Sequence, residues 1–413
     1  MPAVFAWIIG GASISLMLLR PKRSSEAVWI TIGAVLLVLF HMLSVRRAIS
    51  AVRAGVDVYL FLAGMMLLAE LARHAGVFDW VADIAAQLAR GSSARLFLLV
   101  YLVGVVVTAF LSNDATAVVL TPAVLAVVRR AEVEPQPHLL ACAFVANAAS
   151  FVLPISNPAN LVVYGAHLPS LFDWLHTFWL PSIAAVASTF VCLRWLTRRS
   201  LRSPVPNHRV RVPLTHEGQL ALAGLLLGVA ILLTASARGV SLGSPTCVAA
   251  VFALLLASLR SRRSVIAVVR GVSWSVLPLV AGLFVIVEAL NGAGLLEAAR
   301  LGLAHLALVP TWLARFSSGL SVSLVSNLMN NLPVGLASGA ALRQNGVYGP
   351  LAHAVLLGVD LGPNLSVTGS LATILWLIAL RRENVEITAG QFFKAGVIVM
   401  PVALVLAIMS CFH

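Results

Sequence analysis

Apolar residues in this chain come in long runs and not in alternation. Ala27–Leu43, Val56–Leu71, Phe178–Leu196, Leu220–Ala237 and Val397–Phe412 approach the about 20 residues a helix needs to cross hydrocarbon. The pattern predicts spans at about 3–19, 27–44, 52–73, 138–166, 177–196, 217–237, 243–259, 272–290, 350–380 and 390–412. Two further apolar stretches are interrupted: Arg95–Val128 by Ser112-Asn113-Asp114, and Pro310–Leu342 by Asn330-Asn331-Leu332-Pro333. Each reads either as two full spans or as a re-entrant hairpin whose polar tip stops at the bilayer midplane. The run Met1–Leu19 reads as a first span and not as a cleavable leader, because Arg20, Lys22 and Arg23 follow it instead of preceding it.

Composition agrees with a polytopic membrane protein. Of 413 residues, 60% are apolar and 10% charged, against about 25% charged in soluble domains. The net charge of +13 does not point to nucleic acid, since basic residues of a membrane protein collect in cytoplasmic loops and set its orientation. Cys142, Cys192, Cys247 and Cys411 are scattered through apolar segments, so neither a zinc site nor a disulfide framework is indicated. No cofactor is expected.

The chain also matches itself. A shift of 218 residues places Gly64 on Gly282, Glu70 on Glu288, Thr108 on Ser326 and Asn113 on Asn331. A shift of 213 places Asn147 on Asp360, Ser156 on Gly369 and Asn160 on Thr373. Two structural repeats are a common construction plan of secondary transporters. The expected fold is all-α, with about 10 transmembrane helices, two re-entrant hairpins and two inverted-topology repeats. Repeat 1 covers 1–196, with hairpin 95–130, broken helix 138–166 and helix 177–196. A basic linker, 197–216, leads to repeat 2 at 217–413, with hairpin 310–342, broken helix 350–380 and helix 390–412.

Under the hairpin reading each repeat has five spans, an odd number, which inverts the second. Placing the linker in the cytoplasm puts 21 of the 28 Lys and Arg inside and 7 outside. That bias predicts a prokaryotic cytoplasmic membrane with both termini outside. Arg46, Arg47 and Arg53 stand against the assignment.

Chemistry is expected where apolar segments break. Besides the two tips, the breaks are Ser156-Asn157-Pro158-Ala159-Asn160 and Asp360-Leu361-Gly362-Pro363 through Thr368-Gly369-Ser370. Unwound backbone in hydrocarbon leaves amides and carbonyls unpaired at high cost, so it persists only where protein, water or substrate satisfies it. The plainer reading is a set of packed Pro/Gly kinks, which four breaks paired by the repeat make less economical. Asp114 and Asp360 are the charged residues nearest the breaks, and an intramembrane carboxylate is by default a functional candidate. The bland alternative for Asp114 is a helix cap. Glu70 and Glu288 read as interfacial, snorkelling side chains.

The segments SNDATAVVLTPAVLAVV, FVLPISNPANLVV and GVDLGPNLSVTGSLATILW resemble the arsenite/antimonite efflux permeases, the arsenical pump membrane proteins of the ion transporter superfamily. The resemblance spans about Ala48 to Met400 and is most specific over Asp360–Trp376. It implies a scaffold with a mobile transport domain, an elevator-like motion and a homodimer in the lipid bilayer. It also implies hairpin tips at Ser112, Asn113 and Asp114 and at Asn330 and Asn331, with helix breaks at Ser156–Asn160 and Thr368–Ser370. Dicarboxylate relatives carry Ser-Asn-Thr at the tip. Asp114 in place of that Thr would repel a dianion.

Arsenous and antimonous acids are neutral trihydroxides, which need hydrogen-bond donors and acceptors instead of a counter-charge. Ser112, Asn113, Asn157, Asn160, Asn330, Asn331, Thr368, Gly369, Ser370 and Thr373 are the expected substrate-binding positions. Asp114 and Asp360 are the expected proton-coupling residues. Proton-coupled efflux of arsenite or antimonite follows. Sodium/proton exchange is the alternative within transport. An intramembrane aspartyl protease would need Gly-x-Gly-Asp, whereas Asp360 follows Leu357-Gly358-Val359. With no Walker A run the chain is not itself an ATPase, and a separate ATPase partner is left open.

Overall fold

In a computed structural model, residues 2–411 are described except 22–23, 203–212, 259–261 and 307. Half of the basic linker, 203–212, and His413 therefore lie outside the described residues. The described residues are helical, with no strand among them.

The first half opens with α1 (Pro2–Leu19), α2 (Glu26–Leu39), α3 (Val45–Ala54), α4 (Val56–His74) and α5 (Val77–Leu88). Then come α6 (Ser93–Phe110), α7 (Asn113–Ala115), a π-helical turn Thr116–Leu120 and α8 (Thr121–Arg130). The half closes with α9 (Pro135–Ala148), α10 (Pro158–Tyr164) and α11 (Leu171–Leu196). The second half runs through α12 (His216–Ala237), α13 (Gly243–Ser258), α14 (Arg262–Gly271), α15 (Val276–Gly292) and α16 (Leu295–Leu306). It continues with α17 (Thr311–Met329), α18 (Asn331–Gln344), α19 (Pro350–Leu361), α20 (Leu371–Arg382) and α21 (Ala389–Ser410).

Among the described residues, five helical runs are long and apolar enough to cross a membrane unaided: α6, α11, α12, Val265–Gly292 and α21. The pair α3 and α4, bent by 47°, adds a sixth if counted as one span. α1, α2 and α13 are apolar but shorter, and α9–α10 and α19–α20 are each interrupted. Length and apolarity alone thus give fewer spans than the expected ten.

The bend at Gly55 sets off a separate helix that carries the arginines standing against the charge pattern. On α3, Arg46, Arg47 and Arg53 share the helix with exposed Val45, Ile49 and Val52. An exposed helix with one apolar and one basic face lies along the headgroup boundary and need not cross it. α5 and α16, 218 residues apart, are a second unforeseen feature: short helices that each precede a hairpin.

Helix pairings are exchanged between the halves. α4 packs on α13, while α15, the counterpart of α4, packs on α2. The glycines matched by the repeat explain the close approach. A Cβ on Gly64 would lie 2.7 Å from the Thr246 backbone, and one on Gly282 would lie 2.7 Å from Ile30 Cγ2. α10 packs on α18, α20 on α8 and its π turn, and α11 on α21. Arginines fasten two of these contacts at helix C-termini, where unpaired carbonyls favour a cation. Arg343 Nη1, from α18, donates to Val163 O at 2.7 Å and Val162 O at 3.2 Å in α10. Arg129 Nη1, from α8, pairs with Glu383 at 3.2 Å just past α20.

Candidate functional site

Both hairpin tips are built by a polar side chain that caps the returning helix. Ser112 Oγ accepts from Ala115 N at 3.2 Å, and Asn113 Oδ1 accepts from Asp114 N at 3.0 Å. Thr108 and Thr116 hydroxyls bond at 2.8 Å and tie the two arms together below the tip. Pro122 lacks the N–H that an α-helix would use there. The helix widens to the π turn, and Thr121 Oγ1 donates to Thr116 O at 3.1 Å. In the second hairpin Asn330 has φ +75° and ψ +150°, a positive-φ backbone outside the left-handed helical well and strained for a residue with a side chain. Its Oδ1 accepts from Leu332 N at 3.3 Å, and its Nδ2 donates to Thr368 O at 3.4 Å. Asn331 is buried beside it.

The tips lie against the helix breaks. In the first break Asn160 Nδ2 donates to Ser150 O at 3.0 Å and to Leu153 O and Pro154 O at 3.3 Å. These are carbonyls that the interrupted helix leaves over. Ser156 Oγ accepts from Leu153 N and donates at 2.9 Å to Ala109 O of α6. In the second break Thr368 Oγ1 donates at 2.9 Å to Asn327 O of α17, 218 residues after Ala109. Each break therefore hydroxyl-bonds the last turn of a hairpin's first arm. Asn327 does more, accepting from Ser366 Oγ at 2.7 Å and donating to Gly362 O at 2.9 Å. A Cβ on Gly369 would meet its Oδ1 at 2.8 Å.

Caps start the second piece of each broken helix: Asn157 Oδ1 accepts from Ala159 N at 3.0 Å, and Ser370 Oγ from Ala372 N at 3.1 Å. Four bonds then cross between the halves. Asn157 Nδ2 donates to Asp360 Oδ1 at 2.7 Å. Asn147 Nδ2 donates to Asn364 Oδ1 at 3.0 Å and to Thr373 Oγ1 at 3.4 Å, and Asn364 Nδ2 to Phe144 O at 3.2 Å. Asp360 is fully buried and its Oδ2 has no hydrogen-bond partner.

Asp114 has a different setting. It lines a cavity of about 80 Å³ together with Glu70, Met65 and Ala69 of α4, Ser112, Pro158 and Gly271. That is room for two or three waters at about 30 Å³ each. Glu70 is buried and forms a two-pronged salt bridge with Arg73, whose Nε lies 2.8 Å from Oε2. The sequence suggested a snorkelling surface group; the structure brings Glu70 into the same cavity as Asp114. A second cavity of about 580 Å³ lies where the repeat predicts a counterpart, between α15 and the second hairpin. Its Leu283, Val287, Pro333 and Ala337 correspond to Met65, Ala69, Ala115 and Val119. No carboxylate lines it, because Leu332 stands where Asp114 stands and Glu288 is off its wall.

Several of the expected residues separate in the structure. Ser112, Asp114 and the start of α10 share the small cavity. Asn157, Asp360, Asn147 and Thr373 form a closed polar seam between the halves. Asn160 Nδ2 is spent on its own break, while its buried Oδ1 has no hydrogen-bond partner. Sequence reasoning missed Asn327 and Asn364, which hold the second break together, and gave Asn147 no role beyond the repeat.

A family model described as citrate transporter matches residues 14–358. An arsenical pump membrane protein of Escherichia coli strain K12 is 30% identical, over 83% of this chain and 82% of its own. This chain belongs to that family, among its arsenical pump membrane proteins. A second Escherichia coli arsenical pump membrane protein is 27% identical over 95% of each chain. A putative arsenical pump membrane protein of Bacillus subtilis is 26% identical over 95% of each. Among solved structures the Alcanivorax borkumensis YdaH transporter shares the fold, with a TM-score of 0.58, 17% identity, and coverage of 88% of this chain and 86% of that one. The protein is a multi-pass membrane transporter, and not an enzyme.

Proposed function

We propose that this transporter exports arsenite or antimonite as the neutral trihydroxide in exchange for protons, by an elevator-type motion of hairpins and broken helices against a scaffold. The carrying observation is the chemistry of the tip. Asp114 faces a small, mostly apolar cavity beside the capped start of α10, whose neutral polar side chains are the hydroxyls of Ser112 and Ser273. A neutral polyol is recognised by such groups, and a carboxylate within them exchanges a proton without being needed as a counter-ion. The names of the arsenical pump relatives agree with this substrate. Citrate fits poorly, since Asp114 and Glu70 on one cavity repel a polycarboxylate.

The same reading takes residues 1–196 and 217–413 as inverted repeats, with the linker 197–216 in the cytoplasm, of which 203–212 lie outside the described residues. The exchanged pairings, α4 with α13 and α15 with α2, support it. Two cavities of unequal size at matching positions support motion between a state open on one side and its mirror. The experiment is arsenite uptake into everted vesicles under an imposed pH gradient, with a sodium gradient as control. Uptake driven by the pH gradient alone is expected. Uptake driven only by sodium would overturn proton exchange.

A further inference from the structure

Among the described residues Glu70 is the only carboxylate besides Asp114 on the small cavity's wall, and it comes from a different helix. Asp114 rides on a hairpin tip; Glu70 belongs to α4, whose main partner is α13. The approach of α14 is shaped for it. A Cβ on Gly271 would overlap Glu70 Oε1, so the glycine leaves room for the carboxylate to rest in this position against the end of that helix. Arg73 holds Glu70 from the outside, with half its side chain exposed, and does not line the cavity. The other charges near Glu70 are Asp79 of α5, which interacts with Arg73, and exposed Arg270 beside Gly271. The remaining neighbours of α4 bring His216 and Glu217 of α12, Glu288 of α15 and the arginines of α3. Around the tip, α6 offers Arg95, α9 His138 and Cys142, α5 Asp83, and α20 Arg381 and Arg382. None of these lines the cavity.

We propose that Glu70 is a positioning residue for coupling: its carboxylate, held from the outside by Arg73, turns the negative end of that ion pair toward Asp114 across the crevice, so the crevice between α4 and the hairpin closes only when Asp114 carries a proton or the substrate's hydroxyls lie between the two. Like charges in a narrow, poorly solvated space disfavour being ionised together. The empty, ionised carrier then stays open and cannot cross, which makes exchange obligatory instead of leaky. A state that needs a proton gains population when the proton is supplied, by linkage. The counterpart cavity, with no such pair on its wall, has no electrostatic obstacle of this kind.

This rests on Asp114 as the proton carrier, and the test separates the two ideas. Spin labels on His74→Cys and Glu132→Cys, both exposed and at the ends of α4 and α8, in a variant otherwise free of cysteine, report the crevice width by pulsed EPR in liposomes. Between pH 8 and pH 5 the closed-to-open ratio should rise at least about tenfold, the factor given by one unit of pKa difference between the two states. Glu70→Gln should hold the crevice closed at both values, with a change under about twofold, and Glu70→Asp, which keeps the charge, should restore the response. Asp114→Asn should abolish the response as well. An unchanged response in Glu70→Gln, or none in the parent, overturns the role of Glu70. Loss in Glu70→Gln with an intact response in Asp114→Asn overturns instead the assignment of Asp114 as carrier.

Discussion

Replacing Asn157 with alanine tests the seam between the halves, because that side chain makes two different bonds. Its Oδ1 caps α10 at 3.0 Å, and loss of such a cap costs about 1 kcal/mol. Its Nδ2 reaches Asp360 Oδ1 at 2.7 Å, where Asp360 is fully buried with Oδ2 unpartnered. A hydrogen bond to an ionised group contributes about 1.5–3 kcal/mol. Side-chain bonds inside a membrane protein average about 0.6 kcal/mol by double-mutant cycle. A cycle of Asn157→Ala, Asp360→Ala and the double variant cancels the cap and isolates the pair. The assay is SDS-induced unfolding in mixed micelles, followed by far-UV circular dichroism. The coupling energy should fall between about 0.6 and 3 kcal/mol: the low end marks a neutral acid at Asp360, the high end an ion. Strict additivity, within the about 0.3–0.5 kcal/mol expected of independent sites, would refute a bond between the halves at this point.

Asp114→Asn should abolish pH-driven arsenite uptake in proteoliposomes while arsenite binding persists, since binding rests on neutral groups; transport with the wild-type pH dependence would exclude Asp114 as the coupling site. A variant lacking Cys142, Cys192, Cys247 and Cys411 should still confer arsenite resistance on cells, and loss of transport with normal insertion would point to thiol ligation. Gly64→Val should cost about 1–3 kcal/mol as an overpacked contact, because its Cβ would sit 2.7 Å from the Thr246 backbone; an unchanged thermal midpoint would contradict the close crossing of α4 and α13.

The polar breaks were legible in the sequence because asparagine, aspartate and proline interrupt runs that are otherwise apolar. Physics ties each break to a partner, but sequence does not say which. Asn160 and Asn157 look alike on paper, three residues apart, yet the amide nitrogen of one is taken up by leftover carbonyls and that of the other reaches across to Asp360. Asn327 escaped notice because it sits within the last turn of α17, three residues before the Asn330-Asn331 pair that drew attention. Glu70 was misread for a related reason. Its place near the end of an apolar run suggested the interface, and only the fold of α14 and the hairpin around it encloses it. The helices α3, α5, α14 and α16 went unseen because runs of hydropathy reveal spans, while an amphipathic segment of ten or twelve residues averages out.

The exchange of partners between the halves bears on how the chain is made. Asn157 and Asp360 are separated by 203 residues, so at about 5–20 residues per second the first waits about 10–40 s for the second to be synthesised. Through that interval α10 has neither α18 beside it nor Arg343 on its last carbonyls. α8 and its π turn likewise lack α20. The first half enters the bilayer with the bonds of its interrupted helix to the second half still unmade, and these close only after the ribosome has passed Asp360. Translation rate, and whatever shelters the early half in the membrane, therefore become part of what this sequence requires to reach its fold.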